Sequence, residues 1–128
     1  CLNNYVDGWI DWNMVLDTQG GPNWFKNWCV APVIVAPEKD EVYFTPLYYT
    51  LAHFSKYIRP GAVVMDVEHS DQELLVTAAE NPNGTISVVV FNEGVQKKNF
   101  KIRLEDKETA LHINPQAIQT IVIPAKIN

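Results

Sequence analysis

The chain has 128 residues, enough for one ordinary domain with a single core. Hydrophobic and charged contents of 47% and 20% are those of a globular protein. A net charge of −5 and a pI near 5.0 argue against a nucleic-acid binder, and no run approaches the roughly eighteen apolar residues of a transmembrane segment.

The chain opens on Cys1-Leu2-Asn3-Asn4, without an initiator Met, a basic n-region or an apolar h-region. This predicts a processed product or a piece of a longer protein. Cys1 and Cys29 make one possible pair, which is not a disulfide framework and leaves the redox compartment open.

Residues 5–16, aromatic and β-branched with partial alternation, predict a strand running into an extended loop. All four tryptophans, Trp9, Trp12, Trp24 and Trp28, fall between Asp7 and Trp28. Asn13, Gln19, Asn23 and Asn27 are interleaved with them, and Gly20-Gly21-Pro22 breaks the segment in its middle. Flat apolar faces beside amide donors and acceptors suit a sugar, with its C–H-rich face and rim of hydroxyls. A Trp-rich core segment with a polar turn is the alternative reading. A second strand is expected at 30–35, with Pro32 placing it at an edge or bulge. The two strands read as an antiparallel excursion, and the charged Glu38-Lys39-Asp40-Glu41 as a solvated turn.

Thr45 can cap a helix whose first position is Pro46, and Leu47, Leu51, Phe54 and Ile58 form its apolar stripe. Pro60-Gly61 ends it. Strands separated by turns follow at 62–68, 73–79, 85–91, 98–104 and 117–123. Asn81-Pro82-Asn83-Gly84 is a hairpin signal, read as a type I′ turn at Asn83-Gly84. Between 105 and 116 the pattern supports only an extended piece at Leu111–Ile113 and a turn at Asn114-Pro115. Lys97, Lys98, Lys101 and Arg103 surround Phe100 and Ile102, which predicts a solvated strand face.

The chain thus has two textures. Residues 1–60 read as strand, long loop and helix, one βα unit that cannot close by itself, and residues 61–128 as an all-β sandwich. The fold class expected is an α/β barrel remnant plus a β-sandwich, mostly β.

Gly8-Trp9-Ile10-Asp11-Trp12-Asn13 followed by Gly20-Gly21-Pro22-Asn23-Trp24 closely resembles the end of the barrel in glycoside hydrolase family 30, whose best-known members are glucosylceramidases. The likeness continues through Lys26-Asn27-Trp28, Ala31–Val35, Tyr43–Tyr49 and His53–Ile58 to Gln119–Ile123. The resemblance implies a (β/α)8 barrel flanked by a β-sandwich, and retaining hydrolysis of β-glycosides. Asp11 and Trp12 would sit at the C-terminal end of the eighth barrel strand, Trp12 as a wall of the −1 subsite. Asn27 would line the same pocket, and Asp11 would support it by hydrogen bonding. The substrate implied is a β-glucoside or glycolipid, with no cofactor and no metal. The implied setting is secreted, periplasmic or lysosomal.

Retaining hydrolysis needs two carboxylates roughly 5–5.5 Å apart. In the family both are glutamates on earlier strands, so both would lie upstream of Cys1, in the missing N-terminal barrel portion. Asp7 and Asp11, about 13 Å apart along a strand, do not fit. His53, His69 and His112 lack metal-ligand spacing, His53 being expected to be packed or hydrogen-bonded and Cys29 to be a small buried residue. Asn83-Gly84-Thr85 matches the N-glycosylation sequon and is equally explained as a hairpin tip. The family sandwich also takes strands from the N-terminus, so the chain alone is expected to self-associate through an unpaired edge. The alternative function is a non-catalytic β-sandwich module for carbohydrate binding or domain support.

Overall fold

The computed structural model describes residues 1–125, so the last three residues of the expected second module lie outside the described residues. It contains nine strands and one α-helix: β1 (Val15–Asp17), β2 (Val33–Ala36), β3 (Glu41–Phe44), α1 (Pro46–Ser55), β4 (Val63–Met65), β5 (Leu74–Glu80), β6 (Ile86–Asn92), β7 (Lys98–Leu104), β8 (Lys107–Ile113) and β9 (Ala117–Ile123). They form three sheets, ordered β1-β2-β3, β4-β5-β6-β9 and β7-β8. Strands dominate, as expected, with one barrel-type βα portion and one sandwich portion.

The first sheet departs from the sequence reading in three ways. The expected strand over 5–16 shrinks to Val15–Asp17: among the described residues β1 has β2 as its one ladder neighbour, Met14 O adds a bond from the Val33 N–H (3.0 Å), and residues 5–13 have no strand partner. An unpaired strand leaves its amides and carbonyls to solvent and does not hold an extended form. β1 and β2 run parallel, in the register Val15↔Val33 to Asp17↔Val35, and not antiparallel. Parallel pairing needs a crossover of about a dozen residues or more, which loop 18–32 supplies. Third, β3 was not expected, while Glu38 to Asp40 before it are exposed, as a solvated turn should be. A 3-10 turn over Pro37–Lys39 and Asp40 at φ 53 lead into β3, which pairs antiparallel with β2 from Ala36↔Glu41 to Val33↔Phe44.

Pro46 opens α1, as expected, and Thr45 before it is extended. Yet its hydroxyl does not cap the helix. Thr45 Oγ1 donates to the carbonyls of Ala31 (3.0 Å) and Pro32 (3.1 Å), and its N–H donates to Pro32 O at 2.9 Å. The helix start is thereby tied to the end of loop 18–32. The stripe Leu47, Leu51, Phe54 and Ile58 is half-buried, and α1 packs against β3 and β9.

In the sandwich, the core is Leu74, Ala78, Val88, Val90 and Ile113, with Phe100, Ile102 and Ile121 against it. β6 is covered on both faces. Val88 and Val90 face this core, while Ser87 and Val89, on the opposite face by the two-residue period, are also buried. Ser87 Oγ donates to Tyr57 O at 2.7 Å, so the chain just beyond α1 covers that second face. β8 is a full strand where only Leu111–Ile113 was expected. Its turn is made by Glu105 at φ 53, without the Gly or Asn that would signal it. In the 81–84 turn, Gly84 has φ +78 and Asn83 does not have positive φ, which excludes type I′. Pro82 at the first central position fixes φ negative, so the turn closes with Gly84 N–H on Asn81 O (2.8 Å).

β7 alternates as predicted, Phe100, Ile102 and Leu104 half-buried and Asn99, Lys101 and Arg103 exposed. Lys98 is the exception to the solvated face. It pairs with Asp71 (3.0 Å) and with Glu73, which hold its ammonium above the usual lysine range. Lys98 and the Glu73 N–H in turn hold the Asp71 carboxyl below its usual range.

β4 covers only Ala78–Glu80 of β5, and Asn3 serves part of the remaining edge: its Nδ2 donates to Val76 O at 2.8 Å and its Oδ1 accepts from the Thr77 hydroxyl. Between the four-stranded sheet and the β7–β8 hairpin a groove of about 1120 Å3 stays open, lined by Val76, Val88, Phe100 and Ile102 among others. Sedimentation velocity over a concentration range reads the expected self-association, and a monomer throughout would exclude it.

His53, expected to be packed or bonded, is both. Its Nδ1 and the Thr120 hydroxyl of β9 lie 2.8 Å apart, and burial lowers its pKa from the ordinary 6.5. A folded pKa below the unfolded one gives stability that is present above about pH 6.5 and is lost as the pH falls toward the folded value. The melting temperature should therefore drop on acidification from about pH 7.5 to about pH 5.5. His53→Gln should show a smaller drop, and equal drops would remove His53 as the cause.

Candidate functional site

The site is built by loop 18–32 closing back on the segment before β1. Asp17, the last residue of β1, organises it. Its Oδ1 accepts the N–H groups of Gln19 (2.8 Å) and Gly21 (2.7 Å), while its own N–H donates to Gly21 O at 2.7 Å. Gly20 N–H completes the turn on Asp17 O (3.0 Å). The sequence reading did not single out Asp17, although an Asp ahead of Thr-Gln-Gly-Gly is an Asx-turn signal.

Gly20 is required twice over. It has φ +73, and a Cβ there would lie 2.7 Å from Cys29 N and 2.8 Å from Cys29 O. A Cβ on Gly21 would meet Asp17 Oδ2 at 2.8 Å. Cys29 itself is half-buried and free, not fully buried as expected, and Cys1 is free and exposed. Gly20→Ala should destabilise the loop by roughly 1–3 kcal/mol, through strained φ and backbone collision. Tryptophan emission should report the opened loop in urea before the β-sheet signal changes, and coincident transitions would contradict this.

The loop encloses a cavity of about 240 Å3 lined by Trp12, Asn13, Gly20, Pro22, Asn23, Trp24, Phe25 and Asn27. Trp12 and Asn27, fifteen positions apart in sequence, both line it. Asp11 does not line it. Its Oδ1 instead accepts the Trp12 N–H at 2.8 Å, in the irregular stretch before β1. Asn23 Nδ2 donates to Gly20 O at 3.4 Å.

None of the four tryptophans is buried. Trp12 is 72% exposed and Trp24 fully so, which sets aside the reading of this segment as core packing within the chain. The lining holds indole and phenyl rings and three asparagine side chains, and neither an acid nor a base. Such a surface can stack on the C–H face of a ring and hydrogen-bond its hydroxyls. It offers nothing to protonate a leaving group or attack a carbon. No helix among the described residues is long and apolar enough to cross a membrane.

Fold and site together define a barrel-type βα portion joined to a β-sandwich. Residues 1–58 match the glycosyl hydrolase family 30 TIM-barrel domain, and residues 61–121 match the family 30 beta sandwich domain. The chain belongs to glycosyl hydrolase family 30, a family of glycoside hydrolases.

Among curated relatives, it is 37% identical over 128 residues to candidate glucosylceramidase 2 of Caenorhabditis elegans, across 95% of this chain and 25% of that protein. It is 43% identical over 89 residues to the lysosomal acid glucosylceramidase of Mus musculus, across 69% of this chain and 17% of that one. The crystal structure of SrfJ from Salmonella typhimurium superposes with a TM-score of 0.87 at 34% identity, across 91% of this chain and 26% of SrfJ. The endo-β1,6-glucanase BT3312 superposes at 0.89 with 26% identity, across 98% and 28%. The chain therefore spans about a quarter or less of the length of the curated relatives it matches.

Proposed function

We propose that the chain is the C-terminal portion of a retaining β-glycosidase of glucosylceramidase type, supplying substrate contacts but neither catalytic carboxylate. The observation that carries this reading is the cavity bounded by Trp12 and Asn27, whose lining has no carboxylate. In this role Trp12 stacks on the sugar, Asn27 hydrogen-bonds its hydroxyls, and Asp11 holds the Trp12 backbone in place. Residues 1–60 complete the barrel and residues 61–128 form the sandwich behind it. The two glutamates of the displacement come from barrel residues upstream of Cys1, at the spacing that retention requires.

The substrate class follows from the relatives' names. They divide between glucosylceramidases and endo-β-1,6-glucanases, which share a β-linked glucosyl unit and differ in the leaving group. A β-glucoside or glucolipid is thus the proposed ligand. The test is a chromogenic β-glucoside offered to the 128-residue chain and to a version extended upstream through a whole barrel. Turnover by the extended protein alone is expected. Turnover by the short chain would refute the placement of the carboxylates, and none by either would favour the non-catalytic module.

A further inference from the structure

We propose that Asn83, at the tip of the β5–β6 hairpin, is an acceptor for an N-linked glycan. Asn83-Gly84-Thr85 is the one Asn-x-Ser/Thr triplet in the chain. The turn needs most of its residues for the fold. Pro82 sets the first central φ, Gly84 takes φ +78, and Asn81 is buried beneath. Asn83 is different. Its Oδ1 accepts the Thr85 N–H (3.1 Å) and the Thr85 hydroxyl (2.7 Å), a role that an aspartate would fill equally well.

Its Nδ2 donates to no group among the described residues, and the residue is exposed. Among the described residues the fold therefore uses the oxygen of this side chain and does not use the nitrogen. That nitrogen is the atom an oligosaccharyl transferase modifies. The same hydrogen bonds hold the Thr85 hydroxyl beside the acceptor amide, so amide and hydroxyl share one edge of a protruding turn.

The co-reactant is a lipid-pyrophosphate-linked oligosaccharide. Asn83 Nδ2 forms a bond to C1 of its first sugar as the C1–O bond to the pyrophosphate breaks. The lipid pyrophosphate leaves with the electron pair, and one amide proton passes to a base on the transferase. Gly61 and Pro82 lie close together, a Cβ on Gly61 coming 3.3 Å from Pro82 Cγ. The hairpin tip that carries Asn83 therefore lies beside the linker between α1 and β4.

The test is translation of the full chain behind a cleavable secretory leader into eukaryotic microsomes, with intact-mass analysis of the protease-protected product. One glycan is expected, removable by peptide-N-glycosidase with conversion of residue 83 to aspartate. Asn83→Asp should abolish it and keep the turn, whereas Thr85→Ser should retain it. A protected chain without glycan would overturn the proposal. So would a glycan confined to Asn27, whose Asn27-Trp28-Cys29 is a weaker acceptor pattern.

Discussion

Asn81→Leu should lower the stability of the chain by roughly 2–4 kcal/mol, a fall in melting temperature on the order of 10 °C. Asn81 is 5% exposed and every polar atom of its side chain is engaged. Nδ2 donates to Tyr57 O (2.9 Å), Thr85 Oγ1 (3.1 Å) and Ser87 Oγ (3.1 Å), and Oδ1 accepts the Arg59 N–H at 2.8 Å. Tyr57 and Arg59 lie just beyond α1, whereas Thr85 and Ser87 belong to the β5–β6 hairpin. The side chain thus clasps the helical part of the chain to the sandwich. Leucine has the volume but none of the hydrogen bonds, so the Arg59 N–H would lose its partner at the edge of a buried site. Ser87→Ala should cost less, about 1 kcal/mol, because Tyr57 O keeps its bond from Asn81. Thermal melts of the two variants check the order, and an Asn81→Leu protein melting like the parent would show that the clasp contributes nothing.

In a form extended to the whole barrel, Trp12→Ala should reduce kcat/KM for a β-glucoside on the order of 10- to 100-fold. That corresponds to about 1.5–3 kcal/mol for the contact of a large apolar side chain with its ligand. Asn27→Ala should lose less, since one hydrogen bond to a hydroxyl contributes about 1 kcal/mol. Asp11→Asn should be milder still. The amide oxygen can continue to accept the Trp12 N–H at the position Asp11 Oδ1 now occupies. If Asp11→Asn were as damaging as Trp12→Ala, Asp11 would have to contact the substrate itself, and its proposed supporting role would fail. In the 128-residue chain the same variants should alter quenching of tryptophan emission by glucosides, with no turnover to measure.

Where a residue acts through its neighbours in sequence, its role was legible. Phe100, Ile102 and Leu104 alternate with charged residues and form β7 at the predicted bounds. Thr45-Pro46 marks the start of α1 because proline has no N–H to lose at a first helical position. Gly20-Gly21 marks a tight loop because only glycine accepts the φ and the close approach found there. Pro82 is equally informative: the negative φ it imposes favours a turn over 81–84 in place of the type I′ turn that Asn83-Gly84 alone suggests.

Tertiary structure alone decided the rest. Whether β1 and β2 run parallel depends on what lies between and beside them, and periodicity is the same in either direction. Thr45 satisfies both the local rule for a helix cap and a distant pair of carbonyls at Ala31 and Pro32, and the distant pair won. Asn81 sits in a turn signal and was read only as such, because its partners Tyr57 and Arg59 lie more than twenty residues away. The Trp-rich stretch carries its aromatic and amide character in composition, which local chemistry can reveal. That Trp12 and Asn27 line one cavity follows from Asp17 drawing the loop closed over Gly20 and Gly21.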